Sequence, residues 1–461
     1  MEIANSKQQA DPVDKKATDD LEDTEMPSSP CEVEEEIDVL YQNVPEISSH
    51  FTILEKIGEG AFSSVFLARL KHYPEVSEMF ALKHILPTTH PARIENELRC
   101  LLKLGGQDNV MGVKLCLRNK DNVVIVMDYF PHEKFQEVLS LMSTDEARDY
   151  MRNLLIALKR IHQYKVIHRD VKPSNFLYNR QKKQYALVDF GLASGNFLID
   201  RDGEKIGRKN ASPKSCTAPS SSNAACVPLS PSKANINQSN RVNPSLNKGS
   251  VSIPLPSLPK RQPSFAVPSC SAKAFLERSG LCDCLGKPQI CSLCVARKNQ
   301  LAPRAGTAGF RAPEVLLKSP VQDTAVDIWS AGTIFLSVLS ARYPFFRAQD
   351  DLGYLAQIIS VVGSAACVDA AKSFGKALTL SESLPALDLR TTCLKLRSTQ
   401  MSARLGPSDT GHQLSDLVHS WSNISQEAFH LLGRMLDPNP GTRITAEEAL
   451  KHPYFTECGL S

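Results

Sequence analysis

The sequence predicts an α+β protein in which a small β-rich N-terminal lobe precedes a larger helical C-terminal lobe. Four short runs rich in β-branched and aromatic residues predict the strands of the first lobe. They are residues 51–54, 64–67, 80–83 and 123–127. In the second lobe, apolar residues recur at helical spacing from Ala147 to Ile161, and the nearly continuous apolar stretch from Asp327 to Leu339 predicts a buried helix.

The 461 residues, 42% of them hydrophobic, exceed what two such lobes need, so we expect additional segments. Residues 1–47 are acidic and poor in large apolar side chains, which predicts a disordered tail. The N-lobe then spans residues 48–130 and the C-lobe residues 131–456. Within the C-lobe, the Ser-, Pro-, Asn- and Lys-rich residues 195–302 predict a long insert, and about 395–420 a smaller irregular one.

Charge and hydropathy argue against two classes of partner. No apolar run approaches the roughly 18 residues of a membrane span, and the first residues lack a secretory signal, so we expect an intracellular protein without a membrane partner. The formal net charge is +3. Lysines and arginines in the long insert are dispersed, and aromatic residues are scarce there, which argues against direct sequence-specific binding of nucleic acid.

The strongest motif is His168-Arg169-Asp170, which is followed by Lys172, Asn175 and Asp189-Phe190-Gly191. These residue types suit phosphoryl transfer. We expect Asp170 to orient or deprotonate the substrate hydroxyl and Lys172 to stabilise charge on the moving phosphoryl group. Asn175 and Asp189 offer oxygen ligands to Mg²⁺. The chain resembles eukaryotic serine/threonine protein kinases, which implies a bilobal kinase fold with ATP and Mg²⁺ as cofactors.

Upstream residues match the ATP site of that family. The glycine-rich turn begins at Gly58, although Ser63 stands where the third glycine is common. Lys83 follows on a predicted strand and needs a carboxylate partner, for which Glu97 is preferred over Glu95. Residues expected at the ATP site are Ile57, Gly58, Glu59, Gly60, Ala61, Phe62, Ser63, Ser64, Val65, Lys83, Met127 and Tyr129, with Met127 as gatekeeper and Tyr129 in the hinge.

Two arginines point to the kind of substrate. In kinases, the segment before Ala312-Pro313-Glu314 meets the substrate residue that follows the phosphoacceptor, and here it carries Arg304 and Arg311. Guanidinium groups bind carboxylates and phosphates, so we expect Ser/Thr followed by an acidic or phosphorylated residue. Alternatively, the arginines pair with Glu314 or with a phosphorylated Thr307. For Thr307 itself, a hydrogen bond to the catalytic loop is favoured over a role as a phosphosite.

Four cysteines lie close together in the long insert. Cys282, Cys284, Cys291 and Cys294 have a spacing compatible with tetrahedral coordination of zinc, which would be structural because four thiolates leave no open position. Free thiols or a redox pair are the alternatives.

Several longer stretches narrow the resemblance within the kinases. The chain is similar to the cell division cycle 7 kinases over about residues 48–456. The similarity rests on the long insert with its cysteines and on the stretches Gly105–Lys114, Lys172–Asn179 and Ala302–Thr307. This resemblance implies a nuclear kinase with a Dbf4-type regulatory subunit that phosphorylates the MCM helicase to initiate DNA replication. The alternatives are another acid-directed kinase of the casein kinase type, which lacks such an insert, and an inactive pseudokinase scaffold.

Overall fold

The computed structural model describes residues 30–60, 62–73, 75–195, 304–404 and 420–456. Nearly all of the long insert predicted at 195–302 therefore lies outside the described residues, as do residues 1–29 of the predicted tail.

The N-lobe is built on a five-stranded antiparallel sheet with the order β1-β2-β3-β5-β4. Its strands are β1 Phe51–Gly60, β2 Ser63–Leu70, β3 Met79–Ile85, β4 Leu115–Asn119 and β5 Asn122–Asp128. The four predicted strand segments all lie in this sheet, which confirms the β-rich first lobe. The pairing of Gly60 with Ser63 makes the β1–β2 connection a tight hairpin at the predicted ATP loop.

The acidic N-terminal segment is a correction to the sequence prediction. Helices α1 Pro30–Asn43 and α2 Pro45–His50 precede the sheet, so the predicted disorder of 1–47 is wrong from Pro30 onward. Leu40 and Ile47 are at most 1% exposed and join the apolar core of the sheet. Tyr41 also fixes β1, because its hydroxyl oxygen accepts a hydrogen bond from the Ile53 backbone N–H at 2.8 Å.

One long helix of the N-lobe carries the predicted partner of Lys83. Helix α3 spans Pro91–Leu104 and starts with proline at a position where no intrahelical N–H bond is needed. Its buried face includes Glu97 and Leu101, whereas Glu95 is solvent-exposed and pairs with Arg99. The helix therefore turns Glu97 towards the sheet.

The C-lobe is mainly helical, as predicted. Its helices are α4 Phe135–Leu139, α5 Thr144–Gln163, α6 Pro313–Leu316, α7 Ala325–Ser340, α8 Asp351–Val362, α9 Ser364–Ser373, α10 Leu389–Arg404, α11 Gln426–Met435, α12 Ala446–Leu450 and α13 Pro453–Thr456. A two-stranded sheet of β6 Phe176–Asn179 and β7 Gln184–Leu187 follows the catalytic loop. Helices α5 and α7 confirm the two predicted helices, and every residue of α7 from Val326 to Ser340 is buried.

The first part of the smaller irregular insertion predicted at about 395–420 is a second correction. Helix α10 continues through it to Arg404, and residues 405–419 lie outside the described part. Arg397 in this helix is polar yet buried. Its guanidinium lies 3.5 Å above the Trp421 ring and donates to the Leu339 carbonyl at 3.1 Å.

In the described part of the chain, no single helix is long and apolar enough to cross a membrane. Helices α8 and α9 pass that test only when taken together, and they are bent by 117° at their junction.

Candidate active site

A buried aspartate fixes the backbone of the catalytic loop. The two carboxylate oxygens of Asp327, at the start of α7, accept hydrogen bonds from the backbone N–H groups of His168 and Arg169, both at 2.8 Å. Arg169 has φ of 68°, a strained conformation for a non-glycine residue, which these bonds help to maintain. His168 has a structural role, since its Nε2 contacts the Val188 carbonyl at 3.0 Å.

Asp170 lies at the centre of four polar contacts. Its Oδ1 accepts hydrogen bonds from the Thr307 hydroxyl at 2.6 Å and from the Thr307 backbone N–H at 2.9 Å. Its Oδ2 accepts from Asn175 Nδ2 at 3.0 Å and lies 3.4 Å from Lys172 Nζ. The structural role expected for Thr307 is confirmed. These contacts fix the orientation of the carboxylate, as required of a group that positions a substrate hydroxyl.

Glycine allows the segment around Thr307 to approach the catalytic loop. Gly306 has φ of +108°, and a Cβ atom there would lie 2.6 Å from the Arg169 carbonyl oxygen. Any other residue would clash with that backbone atom, so Gly306 is needed for the contact between Thr307 and Asp170.

Lys83 connects the two lobes. Its ammonium group lies 2.6 Å from Glu97 Oε1 in α3 and 2.6 Å from Asp189 Oδ1 in the C-lobe. Burial alone would lower the pKa of Lys83, but the two carboxylates outweigh it and raise the pKa. Burial likewise favours the neutral form of Asp189, yet Lys83 and the Gly191 N–H lower its pKa to about 2. Both groups are therefore charged at neutral pH.

The donor atoms beside Asp170 fit Mg²⁺. Asn175 donates through Nδ2 to both the backbone carbonyl and the side chain of Asp170, so its amide oxygen points away from these two acceptors. Asp189 supplies a carboxylate, held at φ of 65°. An amide oxygen and a carboxylate are hard donors of the kind that Mg²⁺ prefers. Bound Mg²⁺ would neutralise phosphate charge, while Lys172 and Asp170 face the same reaction space.

The remaining residues expected at the ATP site lie in or next to the strands of the N-lobe sheet. Residues 57–60 and 63–65 form the β1–β2 hairpin, whereas Ala61 lies outside the described residues. Phe62 at the turn lies under the Arg93 guanidinium, 4.9 Å from it. Met127 is buried in β5, and the Tyr129 N–H donates to the Met79 carbonyl at 2.9 Å, so this hinge group is already used by the protein.

Arg304 and Arg311 meet at an aspartate that the sequence did not reveal. Arg304 Nε donates to Asp351 Oδ2 at 2.7 Å, and Arg311 Nη1 donates to Asp351 Oδ1 at 3.1 Å. The alternative pairing with Glu314 is wrong, because Glu314 forms a bidentate, fully buried ion pair with Arg443 at 2.8 and 3.0 Å. Arg311 lines a cavity together with Arg169, Asp170 and Thr307 of the reaction centre.

Two functional residues were thus missed at the level of sequence. Asp327 was noted within an apolar helix, but no role was inferred for it. Asp351 begins helix α8 and resembled an ordinary helix-start acid, since Asp350 caps that helix through the Gly353 N–H at 2.7 Å. Only the tertiary structure shows that Asp351 binds both arginines.

The predicted zinc cysteines, Cys282, Cys284, Cys291 and Cys294, lie outside the described residues.

Together, the two-lobed fold and the set around Asp170 define an enzyme of the phosphoryl-transfer class. Residues 51–197 and 290–455 match the protein kinase domain family. The human Cell division cycle 7-related protein kinase is 39% identical, with 93% of each chain covered. The Drosophila melanogaster non-specific serine/threonine protein kinase Cdc7 is 33% identical over 92% of this chain and 77% of its own. The fission yeast (Schizosaccharomyces pombe) cell cycle serine/threonine-protein kinase hsk1 is 29% identical over 92% and 76%.

The chain belongs to the protein kinases and, among them, to the cell division cycle 7-related kinases. It is a serine/threonine protein kinase of the cell division cycle that uses ATP and Mg²⁺. The pseudokinase alternative has no support in the site, which contains each residue of the phosphoryl-transfer set.

Proposed function

We propose that this kinase phosphorylates serine or threonine followed by an acidic or already phosphorylated residue. The observation that carries the proposal is the convergence of Arg304 and Arg311 next to the segment that contacts Asp170. The Arg311 guanidinium is held next to the reaction centre by the Gly306 carbonyl, and Asp351 holds the Arg304 guanidinium beside it. A substrate placed with its hydroxyl at Asp170 would bring its next residue towards this positive cluster.

The pairing with Asp351 leaves binding capacity for an anion. Arg311 uses Nε for the Gly306 carbonyl and Nη1 for Asp351, and Arg304 uses Nε for Asp351. The terminal nitrogens of Arg304 and Nη2 of Arg311 have no hydrogen bond within the described ranges. With two guanidinium groups and one carboxylate, the cluster carries a net charge of about +1. A carboxylate or phosphate complements this charge, whereas a lysine side chain is repelled.

The test compares two peptides that differ only at the residue after the serine, Asp in one and its neutral isostere Asn in the other. We expect kcat/KM to be about tenfold higher for Asp, since charge-assisted hydrogen bonds contribute about 1.5–3 kcal/mol. Arg304→Ala should reduce this preference, because it removes one of the two guanidinium groups. The fold should tolerate the change, because the Arg304 side chain is 58% exposed and has little packing to lose. Lys372→Ala, at a similarly exposed cation elsewhere in the C-lobe, serves as the control. Equal turnover of both peptides by the wild-type kinase would refute the proposal.

We also propose the partners that the family resemblance implies: a Dbf4-type regulatory subunit, and the MCM helicase as the substrate that is phosphorylated in the nucleus to initiate DNA replication. Acidic tails of a helicase would suit the arginine cluster. A partner that binds α3 would change the position of Glu97, and the 70%-exposed Leu102 offers it an apolar contact on that helix. Activity should rise when the subunit is added, with Asp170→Asn as the inactive control. Activity that is independent of the subunit would contradict this part.

We further propose that Cys282, Cys284, Cys291 and Cys294 bind one structural zinc ion. Metal analysis of the purified protein should find about one zinc per chain, lost when all four cysteines are replaced by serine. Zinc-free protein with full activity would argue for free thiols.

A further inference from the structure

The arginine cluster contains its own carboxylate, and this changes the charge that it presents to a substrate. Within the described ranges, Asp351 is the only acidic side chain that pairs with Arg304 and Arg311, and its side chain is 16% exposed. The hydrogen bond from Arg304, together with the charges of both arginines, lowers the pKa of Asp351. The carboxylate is therefore ionised at neutral pH and occupies one N–H of each guanidinium.

We propose that Asp351 is a specificity-determining residue, which restrains the preference of the kinase for a phosphorylated residue after the phosphoacceptor and keeps a carboxylate there competitive. This inference rests on the proposed acid-directed function. It concerns the balance between two anionic substrates, and not the preference for anions as such.

The argument is one of charge. Two guanidinium groups and Asp351 sum to about +1, which the single charge of an aspartate side chain neutralises. Phosphoserine carries about −1.5 to −2 at neutral pH, so its charge exceeds the net charge of this cluster and its second charge is repelled by Asp351. Geometry adds to this effect, because Asp351 Oδ1 and Oδ2 each use an N–H that a third phosphate oxygen would need.

Asp351 also draws the two arginines together. The Arg304 side chain is 58% exposed and would sample many rotamers without its bond to Asp351, whereas Arg311 also donates to the Gly306 carbonyl at 2.9 Å. A replacement should therefore keep the hydrogen-bonding shape while removing the charge. Asp351→Asn does so, because the amide oxygen can still accept from one arginine.

The experiment uses the full chain with its regulatory subunit and two peptides, one with phosphoserine and one with aspartate after the target serine. For Asp351→Asn, we expect the ratio of kcat/KM for phosphoserine over aspartate to rise about three- to tenfold, which is the change for one unit charge about 6 Å away at an effective dielectric constant of about 80 to about 40. Asp351→Glu, which keeps the charge, should stay near the wild-type ratio. The matched control is Asp350→Asn, which removes a neighbouring charge but keeps a good helix cap.

The outcomes separate the two proposals. If the wild-type kinase prefers Asp to Asn peptides but the ratio is unchanged in Asp351→Asn, Asp351 only scaffolds the arginines and the inference is overturned. An equal loss for both anionic peptides leads to the same conclusion. If the wild-type kinase shows no preference for anions, the proposed function fails first and the inference fails with it. A ratio that rises equally in Asp350→Asn would reduce the effect to general surface charge and also overturn it.

Discussion

The N-terminal helix makes the sharpest stability prediction, because it was not expected from sequence. Leu40 in α1 is 1% exposed and packs with Val44, Ile47 and Phe51 against the sheet. Replacing Leu40 with alanine removes three carbon atoms from this contact. At about 0.8 kcal/mol per buried carbon plus a cavity term, we expect a loss of about 3 kcal/mol.

This loss should appear locally, because α1 is the first described element and we expect it to open before the lobes unfold. Amide hydrogen exchange in α1 should therefore accelerate by about 100-fold in Leu40→Ala, which corresponds to about 3 kcal/mol. The control is Val39→Ala on the same helix, because Val39 is 52% exposed. Unchanged exchange in Leu40→Ala, or the same acceleration in Val39→Ala, would refute the docking of α1 on the sheet.

Three further predictions concern the C-lobe site. Thr307→Val should lower kcat by about tenfold or more with little effect on the KM for ATP, because Asp170 loses the 2.6 Å hydrogen bond from the Thr307 hydroxyl. Thr307→Ser keeps a hydroxyl and should keep kcat near the wild-type value, so equal activity of the two variants would contradict the prediction. Glu314→Gln leaves the buried Arg443 charge uncompensated and should cost about 3–5 kcal/mol in urea unfolding, which unaltered stability would disprove. The pKa of Asp189 is lowered to about 2, so the ionised carboxylate stabilises the fold fully above its ordinary pKa of 3.8 and less as pH falls towards 2. The difference in unfolding free energy between the wild type and Asp189→Asn should therefore shrink over this pH range, and a difference independent of pH would contradict the prediction.

Much of the fold could be predicted because local pattern and burial agree. The strands of the N-lobe and helix α7 have apolar runs that can only be satisfied in a core, so their sequence is informative by itself. Glu97 could be preferred over Glu95 because a glutamate followed by an apolar residue matches the family helix, and the structure places Glu97 on the buried face of α3.

The failures share a physical cause, which is that polar composition conceals tertiary burial. In α1 and directly after it, Ile37, Leu40 and Val44 repeat at helical spacing, but the acidic residues of this segment suggested disorder. The polar residues of α10 suggested an irregular segment, although Arg397 among them is buried against an aromatic ring and backbone carbonyls. Asp351 lies 40 residues or more from its arginines in sequence, so no local pattern could connect them.

The distribution of contacts also limits how activity can be controlled. The hydrogen bonds around Asp170 all come from the C-lobe, through Thr307 and Asn175. Polar contact between α3 and the segment of Asp189 passes instead through the ammonium group of Lys83, which lies 2.6 Å from both Glu97 and Asp189, and through Asn96, whose Nδ2 donates to the Ala193 carbonyl at 2.8 Å. A displacement of α3 would therefore leave the substrate-orienting group in place but change the charge balance at Asp189. A regulator that grips α3 should consequently act first on nucleotide and metal positioning, and only through them on turnover.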